Sequence, residues 1–232
     1  MNLIVFLTHN FTKEFLKALI RLNSSNISNY EIIVLFDIKN HYNKMIDKLK
    51  NIKVVKINLI DSSYDHKGHS MYINYFMNNY DEIKKYEYTW IIENDVYYPG
   101  SFIDFINSHD SYNYDLMVPE YGLRSPSWWG TGTLSGFETI QQIGVLAVIM
   151  RFSQKFLKTL IDTIDKKYFG FLEAILPHIC IENNLSIQQF LPEMCGILTT
   201  DNNMNLLEVI KKDIIENKRN FIENRIYHPI KL

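Results

Sequence analysis

The sequence predicts an α/β protein whose central, mostly parallel sheet is flanked by helices. Short β-rich runs alternate with amphipathic segments through the first hundred residues, an order typical of parallel strands joined by right-handed crossovers. The run at residues 3–7 is continuously apolar, as in strands that are covered on both faces. The chain has 232 residues, of which 47% are hydrophobic and 22% charged, a composition that suits one globular domain.

The first half alternates strand and helix. We expect strands at residues 3–7, 31–36, 54–57 and 88–92, and helices at residues 12–22, 41–49 and 70–79. The helices are predicted because their apolar residues recur at intervals of three and four. Thr12 stands where the first helix begins, and its hydroxyl is a suitable N-cap.

The second half is less regular. We expect strands at residues 115–119, 142–150 and 185–191, and helices at residues 153–164, 171–183 and 205–215, with Ser153 as a cap. The stretch at 121–137 is rich in Gly, Ser, Pro and Trp, and we expect a loop there. Loops of this length are often active-site lids. Without a repeat or a linker, residues 1–232 are expected to form a single domain.

Composition excludes several classes of function. The net charge is −2 and Lys and Arg are dispersed, so a nucleic-acid partner is not expected. Cys180 and Cys195 have no metal-type spacing, so neither a disulfide framework nor a zinc site is predicted. No apolar run approaches the roughly 20 residues of a transmembrane helix, and the apolar start is too short for a signal peptide. We expect a soluble, cytoplasmic protein.

Polar residues follow four of the predicted strands. They are His9 and Asn10, Asp37, the segment 61–67, and Glu93-Asn94-Asp95. Ligands of such sheets bind beyond the carboxyl ends of the strands, so these residues should line one crevice. Alternate residues of an extended backbone point the same way. Glu93 and Asp95 can therefore share a hard divalent cation such as Mg²⁺ or Mn²⁺, which takes oxygen ligands and substrate phosphates.

A strand followed by Glu93-Asn94-Asp95 resembles the acidic DxD or ExD motif of GT-A glycosyltransferases, whose fold is Rossmann-like. The resemblance implies that Asp95 binds Mn²⁺ or Mg²⁺ bridging the two phosphates of a nucleotide-sugar donor. Glu93 then supports the metal or contacts the ribose or sugar. The first acid is Glu where the family more often has Asp.

Three further segments resemble the same family. Residues 6–10 are similar to its first strand and nucleotide loop, residues 34–37 to its second strand, and Tyr227-His228-Pro229-Ile230-Lys231 to the tail of a bacterial and viral subset. The resemblance implies metal ligation by His228 and donor contacts from a set of polar residues: Thr8, His9, Asn10, Asp37, Asn94 and Lys231.

The resemblance also implies the substrates, and it implies that the two halves of the chain bind different substrates. The donor would be a nucleotide sugar linked to UDP or GDP, and the acceptor a glycan or a protein. Residues 1–100 would form the nucleotide-sugar-binding half, and residues 101–232 the acceptor side with the C-terminal tail.

An inverting transferase needs a base for the acceptor proton. Glu120, Glu138 and Glu173 are the candidates, with Glu173 and Glu120 preferred. In related transferases an acid at the start of a late helix is often the base, which describes Glu173. The helix dipole explains an acid at that position equally well.

Two further segments have both a functional and a structural interpretation. Asp65-His66-Lys67-Gly68-His69 leads into a helix, where Lys67 would contact a diphosphate or sugar, or would belong to a plain surface loop. Trp128 and Trp129 would form a lid or a sugar platform, or would pack in the core.

Two other functions stay open. A sugar nucleotidyltransferase shares the α/β plan, but residues 8–11 lack the Gly-rich loop of that class. A non-catalytic relative that binds a sugar or a protein is the second alternative, because Glu93 departs from the usual acid.

Overall fold

The computed structural model describes residues 1–25, 28–37, 49–57, 67–98, 100–138, 140–164, 170–198 and 225–228. The strands are β1 Asn2–Thr8, β2 Tyr30–Asp37, β3 Ile52–Ile57, β4 Tyr88–Glu93, β5 Leu116–Val118, β6 Tyr121–Leu123, β7 Ile143–Val145, β8 Ile149–Ser153, β9 Ile187–Gln189, β10 Cys195–Leu198 and β11 Ile226–His228. The helices are α1 Lys13–Ser24, α2 Lys67–Ile83, α3 Phe102–Asn107, α4 Trp129–Gly132, α5 Gln154–Ile164 and α6 Leu172–Glu182, with a 3₁₀ turn at Pro192–Met194.

Seven strands form the central sheet, in the order β3-β2-β1-β4-β8-β5-β9. β3, β2, β1 and β4 are parallel to one another, and β8 runs antiparallel to both of its neighbours, β4 and β5. The predicted α/β fold with a mostly parallel sheet and flanking helices is therefore confirmed. Within the described residues, no helix combines the length and the apolar character needed to cross a membrane.

The central strands are buried on both faces, because their side chains alternate between two hydrophobic clusters. Val5 and Leu7 of β1 point into a cluster that includes residues of α2, α5 and α6. Ile4 and Phe6 point into a second cluster, which includes residues of α1 and α3. The continuous apolar run of β1 thus reflects two helical layers around one sheet.

Both predicted N-caps are confirmed. The Thr12 hydroxyl accepts a hydrogen bond from Phe15 N at 3.2 Å at the start of α1. The Ser153 hydroxyl accepts one from Phe156 N at 3.0 Å at the start of α5. Each hydroxyl satisfies an amide that has no partner inside its own helix.

Two expectations for the second half are wrong. The stretch at 121–137 is not one loop, because β6 pairs with β7 and α4 forms a short turn within it. The predicted strand at 142–150 is two strands: β7 belongs to that hairpin and β8 to the central sheet. A continuous apolar run does not show where one strand ends and the next, which pairs in a different sheet, begins. Helix α3 was not predicted, whereas the expected helices at 41–49 and 205–215 lie outside the described residues, except for residue 49.

A buried arginine fixes the connection between α3 and β5. Arg151 is fully buried, and its guanidinium donates to the carbonyls of His109 at 2.5 Å, Tyr112 at 2.5 Å and Tyr114 at 3.4 Å. It also lies 4.0 Å from the centre of the Tyr88 ring. A rigid fork of donors thus satisfies one buried and two partly buried carbonyls.

We predict that Arg151→Met lowers the free energy of unfolding by about 3 kcal/mol or more, because each orphaned buried carbonyl costs about 1–3 kcal/mol. Arg151→Lys should recover only part of this loss, since an ammonium group lacks the planar fork. Urea unfolding is the measurement. Lys158→Met, which removes an exposed cation from α5, is the control, and an equal loss in both variants would contradict the role of Arg151.

Candidate active site

The carboxyl ends of β1, β2 and β4 lie at the same edge of the sheet. Thr8 is opposite Phe36 and Leu7 is opposite Glu93 in the strand register. The amide of Asn94 continues this pairing by donating to Leu7 O at 3.1 Å. The residues that follow these strands are therefore neighbours, as the sequence predicted.

The first strand ends in a tight turn. Thr8 is buried, and its hydroxyl accepts from Asn10 N at 3.0 Å and donates to Asn10 O at 2.5 Å. The hydroxyl thus shapes the loop, while His9 and Asn10 are exposed at the sheet edge. Asp37 ends β2 at the same edge and is buried. Roles for these four residues in donor binding stay predictions.

Glu93 and Asp95 stand on either side of a turn. Glu93 ends β4, and its amide donates to Val148 O at 3.0 Å, which holds it in the sheet. The amide of Val96 donates to Glu93 O at 3.1 Å and closes the turn. Both carboxylates are partly exposed, at 26% for Glu93 and 20% for Asp95.

His228 reaches the two acids from the far end of the chain. Tyr97 and Tyr227 exchange backbone hydrogen bonds of 2.9 and 2.8 Å, so β11 lies beside the segment that follows the acidic turn. The imidazole Nε2 of His228 is 3.4 Å from Glu93 Oε2 and 3.3 Å from Asp95 Oδ1. The structure therefore gathers the three predicted metal ligands.

The three side chains fit a divalent cation. Their ligand atoms all lie within 4.8 Å of one another, and octahedral ions with bonds of about 2.1 Å hold adjacent ligands about 3 Å apart. The imidazole nitrogen makes the set less suited to Mg²⁺, which prefers oxygen ligands, than to Mn²⁺.

The electrostatics of this cluster favour positive charge. Burial works against a charged imidazole at His228. The hydrogen bonds and negative charges of Asp95 and Glu93 outweigh burial, and together they raise the pKa of His228 to about 9. Two carboxylates around one buried group therefore attract a proton or a metal cation.

Glu173 is a buried acid whose carboxyl group senses the charges of Glu93 and His228. It lies in the first turn of α6, is 8% exposed, and accepts a hydrogen bond from Ala147 N at 3.0 Å. Burial raises the pKa of Glu173 to about 7, against the lowering effects of the Ala147 bond and the Arg124 charge. A carboxyl group poised near neutral pH is suited to proton transfer.

The other candidate bases are placed differently. Glu120 is exposed and forms an ion pair with Arg124, so its carboxylate is already paired with a guanidinium group. Glu138 is exposed, and its amide donates to Glu182 Oε1 at 2.6 Å. Burial distinguishes Glu173 from both.

Several predicted residues cannot be placed in the site. Lys67 is the first residue of α2, but its side chain lies outside the described structure. Lys231 and His66 lie outside the described residues altogether.

Sequence reasoning missed two residues. Arg124 interacts electrostatically with Glu173, and it is the only charged residue between 121 and 137, a signal that was available. Tyr72 is fully buried, and burial together with the charges of Glu93 and Glu173 raises its pKa well above 10. Its position on an apolar helix gave no such signal.

The mixed α/β fold, with its seven-stranded, mostly parallel sheet, is similar to that of a glycosyltransferase of known structure. A solved structure with which the chain shares this fold is the WbbM bifunctional glycosyltransferase in its apo form, at a TM-score of 0.51 and 12% sequence identity. The match covers 98% of this chain and 45% of the WbbM chain, so this chain spans less than half the length of that protein. At this identity the likeness concerns the fold alone. No protein-family model and no curated protein sequence matches the chain.

We predict that Mn²⁺ binds the cluster and raises the melting temperature, and that Asp95→Asn and His228→Gln each weaken binding at least about tenfold, since each removes a ligand. Calorimetric titration with Mn²⁺ alone measures the affinity. Asp104→Asn makes the same change at an exposed position on α3 and serves as control. Equal weakening in that variant would contradict the assignment, and Mg²⁺ should bind more weakly than Mn²⁺.

Glu173 generates a second prediction, on stability. Its pKa is about 7 in the folded protein, against an ordinary value of 4.5, so the folded state binds more protons between these pH values. The free energy of unfolding should therefore fall by up to about 3 kcal/mol as pH rises from 4.5 to 7. Glu173→Gln should remove this contribution.

Urea unfolding of both proteins between pH 4 and 8 provides the measurement. The stability of Glu173→Gln relative to the wild type should rise through that window, while groups common to both proteins cancel. A difference that does not change with pH would show that Glu173 ionises as freely in the folded chain as in the unfolded one.

Proposed function

We propose that this chain is a metal-dependent glycosyltransferase, which transfers a sugar from a UDP- or GDP-linked donor to a glycan or protein acceptor. The observation that carries the proposal is the approach of Glu93, Asp95 and His228 to within 4.8 Å at the carboxyl edge of the sheet. The likeness in fold to a glycosyltransferase supports it.

The sheet edge offers a place for the donor. Glu93, Asp95 and His228 would hold Mn²⁺, which when bound neutralises the negative charge that develops on the departing nucleoside diphosphate. The exposed turn at His9 and Asn10 lies on the neighbouring strand end, so a nucleoside attached to the diphosphate can extend along the same edge. Asp37, Lys67 and Lys231 are proposed as further donor contacts.

Glu173 is proposed as the general base. Its carboxylate takes the proton of the acceptor hydroxyl as the acceptor oxygen bonds to the anomeric carbon and the nucleoside diphosphate departs. A single displacement of this kind inverts the anomeric centre. The pKa near 7 supports this role, because a base of that pKa is ionised in part at neutral pH and still accepts a proton.

Arg124 and Glu120 are proposed to line the acceptor side. Their ion pair presents donors and acceptors of hydrogen bonds close to the charge of Glu173. Glu120 is thus assigned to holding Arg124, and Glu173 to proton transfer.

The proposal is tested with a panel of UDP- and GDP-sugars in the presence and absence of Mn²⁺. We expect release of nucleoside diphosphate that depends on the metal. Asp95→Asn should abolish both turnover and the metal dependence, whereas Asp104→Asn should retain them. Glu173→Gln should lower kcat by about 10²-fold or more while it still binds the donor.

The outcomes separate the alternatives. Stabilisation by a nucleotide sugar without any turnover would indicate a binding protein of this fold and overturn the enzyme assignment. If no nucleotide raises the melting temperature even with Mn²⁺ present, the donor site itself is refuted.

A further inference from the structure

The segment 124–134, which we call the Trp128 loop, is held in place by hydrogen bonds to one glutamine, Gln142. The amide of Arg124 donates to Gln142 O at 2.8 Å. The side chain of Gln142 accepts from Thr131 Oγ1 at 2.8 Å and donates to Ser125 O at 2.9 Å. Three bonds to one residue hold both ends of the loop.

Trp128 is packed into the same region. A Cβ atom at Gly130 or Gly144 would lie 2.6 Å from the indole, so both glycines leave room for the ring. The indole contacts Phe171 with ring centres 6.0 Å apart, and Arg124 lies 5.6 Å from the ring centre. The indole thus fills a fixed position between the loop and the residue that precedes α6.

The loop also contacts the start of α6 through its backbone. Phe171 N donates to Thr133 Oγ1 at 2.8 Å, and Thr133 Oγ1 donates to Gly130 O at 2.7 Å. Gly170 has a φ of +141°, and a Cβ there would lie 3.1 Å from Thr133 O. Residue 170 must therefore be glycine, because any other residue would be strained at this φ and its Cβ would crowd the Trp128 loop.

We infer that Trp128 and Thr133 are positioning residues for Glu173: they hold the first turn of α6 so that the Glu173 carboxyl stays buried against Ala147 N–H. Glu173 follows Phe171 by two residues, so a shift of Phe171 moves the carboxyl directly. The kinetic part of this inference rests on the proposed function, whereas the structural part does not.

Loosening the helix start has a definite electrostatic consequence. Arg124, Glu93, His228 and Tyr72 interact electrostatically with Glu173, but burial is the largest cause of its raised pKa. A carboxyl group that gains solvent therefore titrates closer to its ordinary value, even when Arg124 moves with the loop.

The test uses Trp128→Leu, with Trp128→Phe as the conservative variant that retains an aromatic ring against Phe171. NMR of ¹³C-labelled glutamate carboxyls follows the titration of Glu173. We expect Trp128→Leu to lower its midpoint by about one pH unit and kcat by about tenfold, with the donor KM unchanged. Trp128→Phe should restore most of both.

A second variant guards against a folding defect. Thr133→Val removes the hydroxyl that Phe171 N contacts, and should act in the same direction. Thr159→Val is its control, because that hydroxyl donates to Lys155 O at 2.9 Å on the exposed side of α5.

An unchanged Glu173 midpoint in both loop variants would overturn the inference, as would an equal shift in Thr159→Val. If the wild-type chain turns over no nucleotide sugar, the proposed function fails. The NMR titration still decides whether the loop positions Glu173.

Discussion

Two backbone hydrogen bonds between Tyr97 and Tyr227 hold the candidate site together. They dock β11 beside the turn that follows β4, and so bring His228 to the two acids of that turn. This pairing gives Glu93 and Asp95 a third potential ligand and a neighbour that can carry positive charge. The third ligand is separated from the acids by more than 130 residues of chain, and ordering it there costs conformational entropy.

The site concentrates negative charge that the fold only partly balances. The partly exposed Glu93 and Asp95 flank His228 there, and the buried Glu173 senses the charge of Glu93, opposed by those of His228 and Arg124. The result is a histidine whose pKa is raised to about 9 and a glutamate whose pKa is raised to about 7. Such displaced values are typical of sites that bind a cation or transfer a proton, although structural ion pairs also produce them. Here two displaced groups lie at the carboxyl edge of a parallel sheet, where ligands of this architecture bind.

Much of the fold and part of the site could be predicted from the sequence, because local patterns determine them. Short stretches of chain are enough to predict the apolar run of β1, the capping hydroxyls of Thr12 and Ser153, and the strand that leads into Glu93. The hairpin of β6 and β7 could not be predicted, because its strands are three residues long and their partners differ from those of the neighbouring β8. The tethering of the Trp128 loop by Gln142 also has no local signature.

The sequence by itself determined that two carboxylates, separated by one residue, follow a buried strand at the carboxyl end of a parallel sheet. It did so because strand burial and side-chain alternation depend on neighbours in the chain. Only the tertiary structure decided that the His228 imidazole lies beside both carboxylates, that Glu173 rather than Glu120 is buried, and that the Arg124 charge acts on Glu173. Those outcomes depend on which distant segments share a space, and on the dielectric and charges that each side chain meets there.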